Sequence, residues 1–79
     1  MKNDNKYSFE IIKEIAVIGT RENMNKEANI VSWNRQPPVI DIRYWNADHT
    51  EMSSGITLTQ SELTAFMRGV KAWTEENRK

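Results

Sequence analysis

The chain carries one strong helical signal, and it comes last. Thr59-Gln60-Ser61-Glu62 has capping-box spacing: the threonine hydroxyl can accept the amide of Glu62, whose carboxylate can reach back. Leu63, Phe66, Met67, Val70 and Trp73 then follow at helical spacing, with Lys71, Arg78 and Lys79 late, where the helix dipole favours cations. Gly69 interrupts this helix at a cost of about 1 kcal/mol relative to alanine, unless close packing requires it. The rest of the fold must come from short apolar runs. Eight isoleucines and four valines stand against two leucines in 79 residues. β-Branched side chains fit a pleated surface, so this skew points to strands rather than to a helical bundle.

Val39–Trp45 (VIDIRYW) is the clearest strand. Alternation sets Ile40, Ile42 and Tyr44 on one face, and Val39, Asp41, Arg43 and Trp45 on the other. Pro37-Pro38 ends the preceding strand, Glu27–Asn34, because proline cannot donate to a ladder. That strand puts Asn29, Val31 and Trp33 on one face, and Ile30 and Ser32 on the other. Phe9–Ile18 (FEIIKEIAVI) is ambiguous. A strand would align Phe9, Ile11, Ile15 and Val17, and a helix would group Ile11, Ile12, Ile15 and Ile18. Its β-branched content and the following Gly19 favour a strand. Thr20–Lys26 reads as a polar connection, Asn46–Gly55 as a loop, and Gly55–Leu58 as a short last strand. The reading is a single α+β domain over residues 9–79. It consists of a four-stranded curved antiparallel sheet and one C-terminal helix, preceded by a loose tail over residues 1–8. One helix covers one face of a sheet. The face bearing Trp33, Arg43 and Trp45 must then be solvated, bind something, or meet another subunit.

Eleven acidic and eleven basic residues balance to zero net charge. This argues against a highly charged disordered segment and removes the basic excess of a typical duplex-DNA binder. There is no cysteine, hence no disulfide framework, thiol nucleophile or cysteine metal site. The apolar stretch nearest the start is broken by Glu10, Lys13 and Glu14, unlike a signal peptide. No stretch approaches the roughly 20 apolar residues that span a bilayer. The expectation is a soluble, cytoplasmic protein without membrane partners.

The constellation most suggestive of function is Trp33, Arg43 and Trp45, with Lys26 and Arg35 near by in sequence. Tryptophan stacks on unpaired bases, and arginine contacts phosphate or stacks as well. The competing reading is that the tryptophans fill a second core or a dimer contact while Arg43 pairs with Asp41. Asp41, Asp48, His49 and Glu51 form the one cluster resembling a metal or acid–base site. It has no paired-histidine spacing, and no metal or other cofactor is expected. No serine has the context of a nucleophile, and there is no glycine-rich phosphate loop. Phe66, Val70 and Trp73 form a broad stripe suited to a homodimer interface.

PVIDIRYW, a polar loop containing Glu51-Met52, Gly55-Ile56-Thr57-Leu58-Thr59 and a helix opening with Gln60-Ser61-Glu62 together resemble the transcriptional coactivator positive-cofactor-four-like domain. Ile30–Asn34 (IVSWN) with the Asp-His loop is closer to its small bacterial YdbC-type branch. The resemblance spans Ala28–Trp73. It implies a homodimer that binds single-stranded DNA along its strands with little sequence preference, in transcription regulation or strand protection, without catalysis. Arg43 and Trp45 fall on positions that the family uses against DNA. Lys26, Trp33 and Arg35 carry over through the second strand and its hairpin. Ser53-Ser54 replace basic residues of the eukaryotic pattern. The ligand expected is single-stranded DNA, or RNA. The alternative is a protein-interaction module using the aromatic sheet face, and a hydrolase built on the Asp-His-Glu loop is the remote one.

Overall fold

The computed structural model describes residues 8–77. The tail expected over residues 1–8 therefore lies outside the described residues except for Ser8. Four strands and a helix follow in order: β1 (Phe9–Arg21), β2 (Met24–Trp33), β3 (Val39–Trp45), β4 (Ile56–Leu58) and α1 (Gln60–Glu76). The strands form one antiparallel sheet in the order β1-β2-β3-β4. The α+β architecture is the expected one. No helix among the described residues is long and apolar enough to cross a membrane.

The first hairpin differs from the expected polar connection. Thr20, Arg21, Met24, Asn25 and Lys26 belong to the paired strands, and only Glu22 and Asn23 are left to turn the chain. Backbone pairing does not require apolar side chains, so the ladder runs through the polar segment to its end.

The ambiguous segment is a strand with an unusual ladder. Its register against β2 slips between Ile11 and Lys13, between Glu14 and Ala16, and between Val17 and Gly19. Ile12, Ile15 and Ile18 are the unpaired residues of these three irregularities. Each extra residue bends a strand and increases its twist. Three in ten residues give a strong curl. Phe9 pairs with Trp33 at one end of β2, whereas Trp45 pairs with Asn25 at the other. In a straight strand those eight residues would span about 26 Å. Yet the ring of Phe9 lies 5.6 Å from that of Trp33 and 5.1 Å from that of Trp45. The sheet therefore folds over on this face.

The curl decides where the core sits. Val31 and Trp45 are buried together with Glu27, Asn29 and Asp41, all on the face expected to be free. On the opposite face Ile40 is buried, while Ile42 and Tyr44 are partly covered. The helix does not cap a core there. It meets the sheet mainly at β3 and β4 and buries none of its residues. Its start is as expected: the Glu62 amide donates to Thr59 Oγ1 at 3.2 Å, and the Thr59 amide donates to Glu62 Oε1 at 2.9 Å. Its end is not. The last turn carries Glu75 and Glu76 and no base, and Arg78 and Lys79 lie outside the described residues.

Candidate functional site

β2 and β3 pair without interruption from Asn25↔Trp45 to Val31↔Val39. Asn29 stands opposite Asp41, and Glu27 opposite Arg43, so these four share the curled face. Trp33 lies on that face by alternation along β2. The sheet thus brings Trp33, Arg43 and Trp45 together, but not as open platforms.

Trp45 is 1% exposed. Phe9 covers one side of it, and the His49 ring lies 5.1 Å away. The expectation of a solvent-facing stacking platform at Trp45 is corrected: the curl of β1 carries Phe9 over it. Arg43 is likewise engaged. Its Nε donates to both oxygens of Asp41 at 2.8 and 3.1 Å, and Nη2 donates to Oδ2 at 2.8 Å. Nη1 donates to the Ser53 carbonyl at 3.2 Å. The guanidinium lies 4.7 Å from the Trp33 ring centre. Every nitrogen is occupied, and Asp41 is fully buried, so a free phosphate ligand at Arg43 is corrected to an internal ion pair. Removing either partner would strand a buried charge.

Trp33 is half-buried and keeps access to solvent through a cleft of about 530 Å³. Arg43, Met52, Ser53, Ser54, Gly55 and Thr57 line it as well. Asn34, which is exposed, lines it too. Asn34 and Arg35 both have positive φ, 50° and 65°, in the tight turn closed by the Gln36 amide donating to the Trp33 carbonyl. Arg35 is exposed there, but it lines a shallow neighbouring hollow with Ser8, Phe9, Glu10 and Ser32 rather than the cleft. Lys26 is on the other face. It lies opposite Tyr44, with its ammonium 5.3 Å from that ring centre and Arg21 at 5.6 Å. Lys26 therefore does not join the tryptophan site, because one residue of strand parity separates it from Glu27.

The acidic loop does not converge. Asp41 holds Arg43, and His49 Nε2 is 2.9 Å from Glu27 Oε1. Asp48 accepts from the Thr50 hydroxyl at 2.7 Å, which holds its carboxyl below the ordinary aspartate value. Among the described residues, no three acidic or histidine side chains are grouped to hold a metal. Sequence reasoning missed the roles of Phe9, Glu27 and Asn29. The signal for the last two was their shared parity with Val31, which placed polar side chains on a face that closes. Phe66, Met67, Val70 and Trp73 are all exposed along α1, Trp73 at 64%.

No family model matches the chain. An uncharacterized protein of Treponema pallidum (strain Nichols) is 34% identical over 61 residues, covering 76% of this chain and 72% of that one. The chain belongs to the same family as that protein.

Proposed function

We propose that the chain is a non-catalytic, cytoplasmic single-stranded nucleic-acid-binding module of the positive-cofactor-four-like family, acting as a homodimer in transcription regulation or strand protection. The observation that carries this reading is the cleft beside Trp33. The half-buried Trp33 indole, with Arg43 over its ring, sits there in a space of about 530 Å³ lined also by Met52, Ser53, Ser54 and Gly55. Arg43 acts there by holding the indole in place, with its charge already met by Asp41. Arg35, exposed on the adjoining turn, supplies the cation for phosphate. Neutral overall charge favours a stacking mode, since unpaired bases offer π faces and duplex binding leans more on phosphate charge.

Titration with oligo-dT, oligo-U and a matched duplex tests the reading. Single strands should bind more tightly than the duplex, with a salt slope near −0.7 per contacted phosphate. Trp33→Ala should cost roughly 1 to 3 kcal/mol of affinity, or about 5- to 150-fold. Arg35→Ala should weaken binding more at low salt than at high salt. Equal affinity for blunt duplex and oligo-dT would overturn it. A protein-interaction module using the aromatic sheet face is the second reading. We assign the bare apolar stripe on α1 to a second copy of the chain.

A further inference from the structure

We propose that a pocket beside Asn29, separate from the Trp33 cleft, binds an organic cation bearing several N–H donors, a guanidinium or a primary ammonium group. The register slip between Glu14 and Ala16 falls where β1 passes Asn29, and the unpaired Ile15 bends the edge strand there. A pocket of about 230 Å³ opens there, lined by Glu14, Ile15, Val17, Glu27, Asn29 and His49. Its polar wall holds acceptors whose bonds are not all made. Asn29 is 1% exposed, its Nδ2 donates to Glu27 Oε1 at 3.0 Å, and its Oδ1 is buried without a partner. Glu27 is also buried, and its Oε1 takes the only side-chain hydrogen bonds the residue makes among the described residues, from Asn29 and His49. Oε2 is left for a ligand. A carboxylate at that position requires the His49 tautomer with the proton on Nε2. Glu14, opposite Asn29 in the ladder, adds a second, exposed carboxylate.

A buried carbonyl oxygen without a donor and a buried carboxylate with one free oxygen both call for N–H groups. Two carboxylates against one imidazole call for positive charge. The acidic side chains are not grouped as a metal ion would need. Acceptors on separate residues are served by a group whose donors diverge, as those of a guanidinium or ammonium do, with its alkyl chain against Ile15 and Val17 of the same pocket.

The test is an amide NMR titration of the full chain, without nucleic acid, at constant ionic strength. The probes are putrescine, butylguanidinium, Nα-acetyl-arginine methylamide and, as a cation without donors, tetramethylammonium. Saturable shifts of the Glu14, Glu27, Asn29 and His49 amides are expected with one or more of the donor cations and not with tetramethylammonium. Glu14→Gln and Glu27→Gln should each weaken that binding by about tenfold or more, since hydrogen bonds to charged groups are lost. Binding of the blocked arginine alone would assign the site to a basic side chain of a docked chain. Binding of the free diamine or butylguanidinium would assign it to a small cation. Absence of saturation with all three donors, an equal response to tetramethylammonium, or unchanged affinity in both variants would overturn the proposal. Because no strand is present in the titration, its outcome is independent of the nucleic-acid reading.

Discussion

A methyl group at position 55 would lie 2.5 Å from Arg43 Cβ, 2.5 Å from the Ile42 carbonyl oxygen and 2.9 Å from Arg43 Nε. Glycine is therefore required by close approach: the loop backbone lies directly against Arg43, whose Nη1 it caps through the Ser53 carbonyl. Gly55→Ala must push the loop away or tilt the guanidinium off Asp41. We expect a loss of about 1 to 3 kcal/mol in denaturant unfolding, the usual cost of overpacking a close contact. An unchanged midpoint would show that the loop gives way freely. Asp48 offers a second test. Its carboxyl is lowered chiefly by the Thr50 hydroxyl, from an ordinary value of 3.8. A lowered folded-state value contributes stability that is present above the unfolded value and lost as pH falls through the folded one. The Asp48 carboxyl resonance should thus titrate below 3.8. Thr50→Val should bring it back upward, and the acid limb of stability attributable to this residue should shrink. At this scale the sequence was informative where chemistry is local. The capping box at Thr59 was legible because both partners lie within three residues. The burial of Trp45 was not, since it depends on Phe9 arriving from 36 positions away in the chain.

At the scale of elements, β1 shows why period alone misleads. Ile12, Ile15 and Ile18 recur every third residue, which grouped them as a helix face. The structure instead gives that spacing to a strand with three ladder irregularities. Isoleucine at the extra positions leaves each side chain about half exposed, so the strand carries an apolar row on an edge of the sheet. The face assignments of β2 and β3 were legible from alternation. Which face closes was not, because curvature came from β1. Deleting Ile15 tests that cause. It removes one extra residue yet preserves the pairs Glu14↔Asn29 and Ala16↔Ala28. The sheet should remain, while a flatter β1 withdraws Phe9 from Trp45. The expected readout is red-shifted tryptophan emission with unchanged far-ultraviolet strand signal. Emission at the wild-type wavelength would mean that the other two irregularities suffice for the curl.

For the whole molecule the issue is how little the chain buries. Among the described residues the apolar core is Val31, Ile40 and Trp45, and the other buried side chains are polar. Helix α1 runs for 17 residues without burying one. Isolated helices near this length are marginal in water, and most helical stability in proteins comes from packing an amphipathic face. Gly69 weakens it further, and beyond its chain neighbours and its own helix backbone no atom of the described residues comes within 4 Å of where its Cβ would be. A second copy laid along Phe66, Met67, Val70 and Trp73 would supply the missing packing at roughly 25 cal/mol per Å² of apolar surface covered. A bare glycine in the same stretch leaves room for a close helix crossing. The expected outcome is a species near twice 9.2 kDa by sedimentation at micromolar concentration. Its melting temperature should fall on dilution, as mass action requires when folding and association are coupled. Phe66→Glu should convert it to a monomer and remove most of the helical circular dichroism, because the stripe then has no partner. Arg68→Glu, also on α1 and outside that stripe, controls for the charge change and should leave the mass unaltered. A wild-type monomer at that concentration with its helix intact would sink the dimer, since the exposed stripe would then be tolerated without a partner.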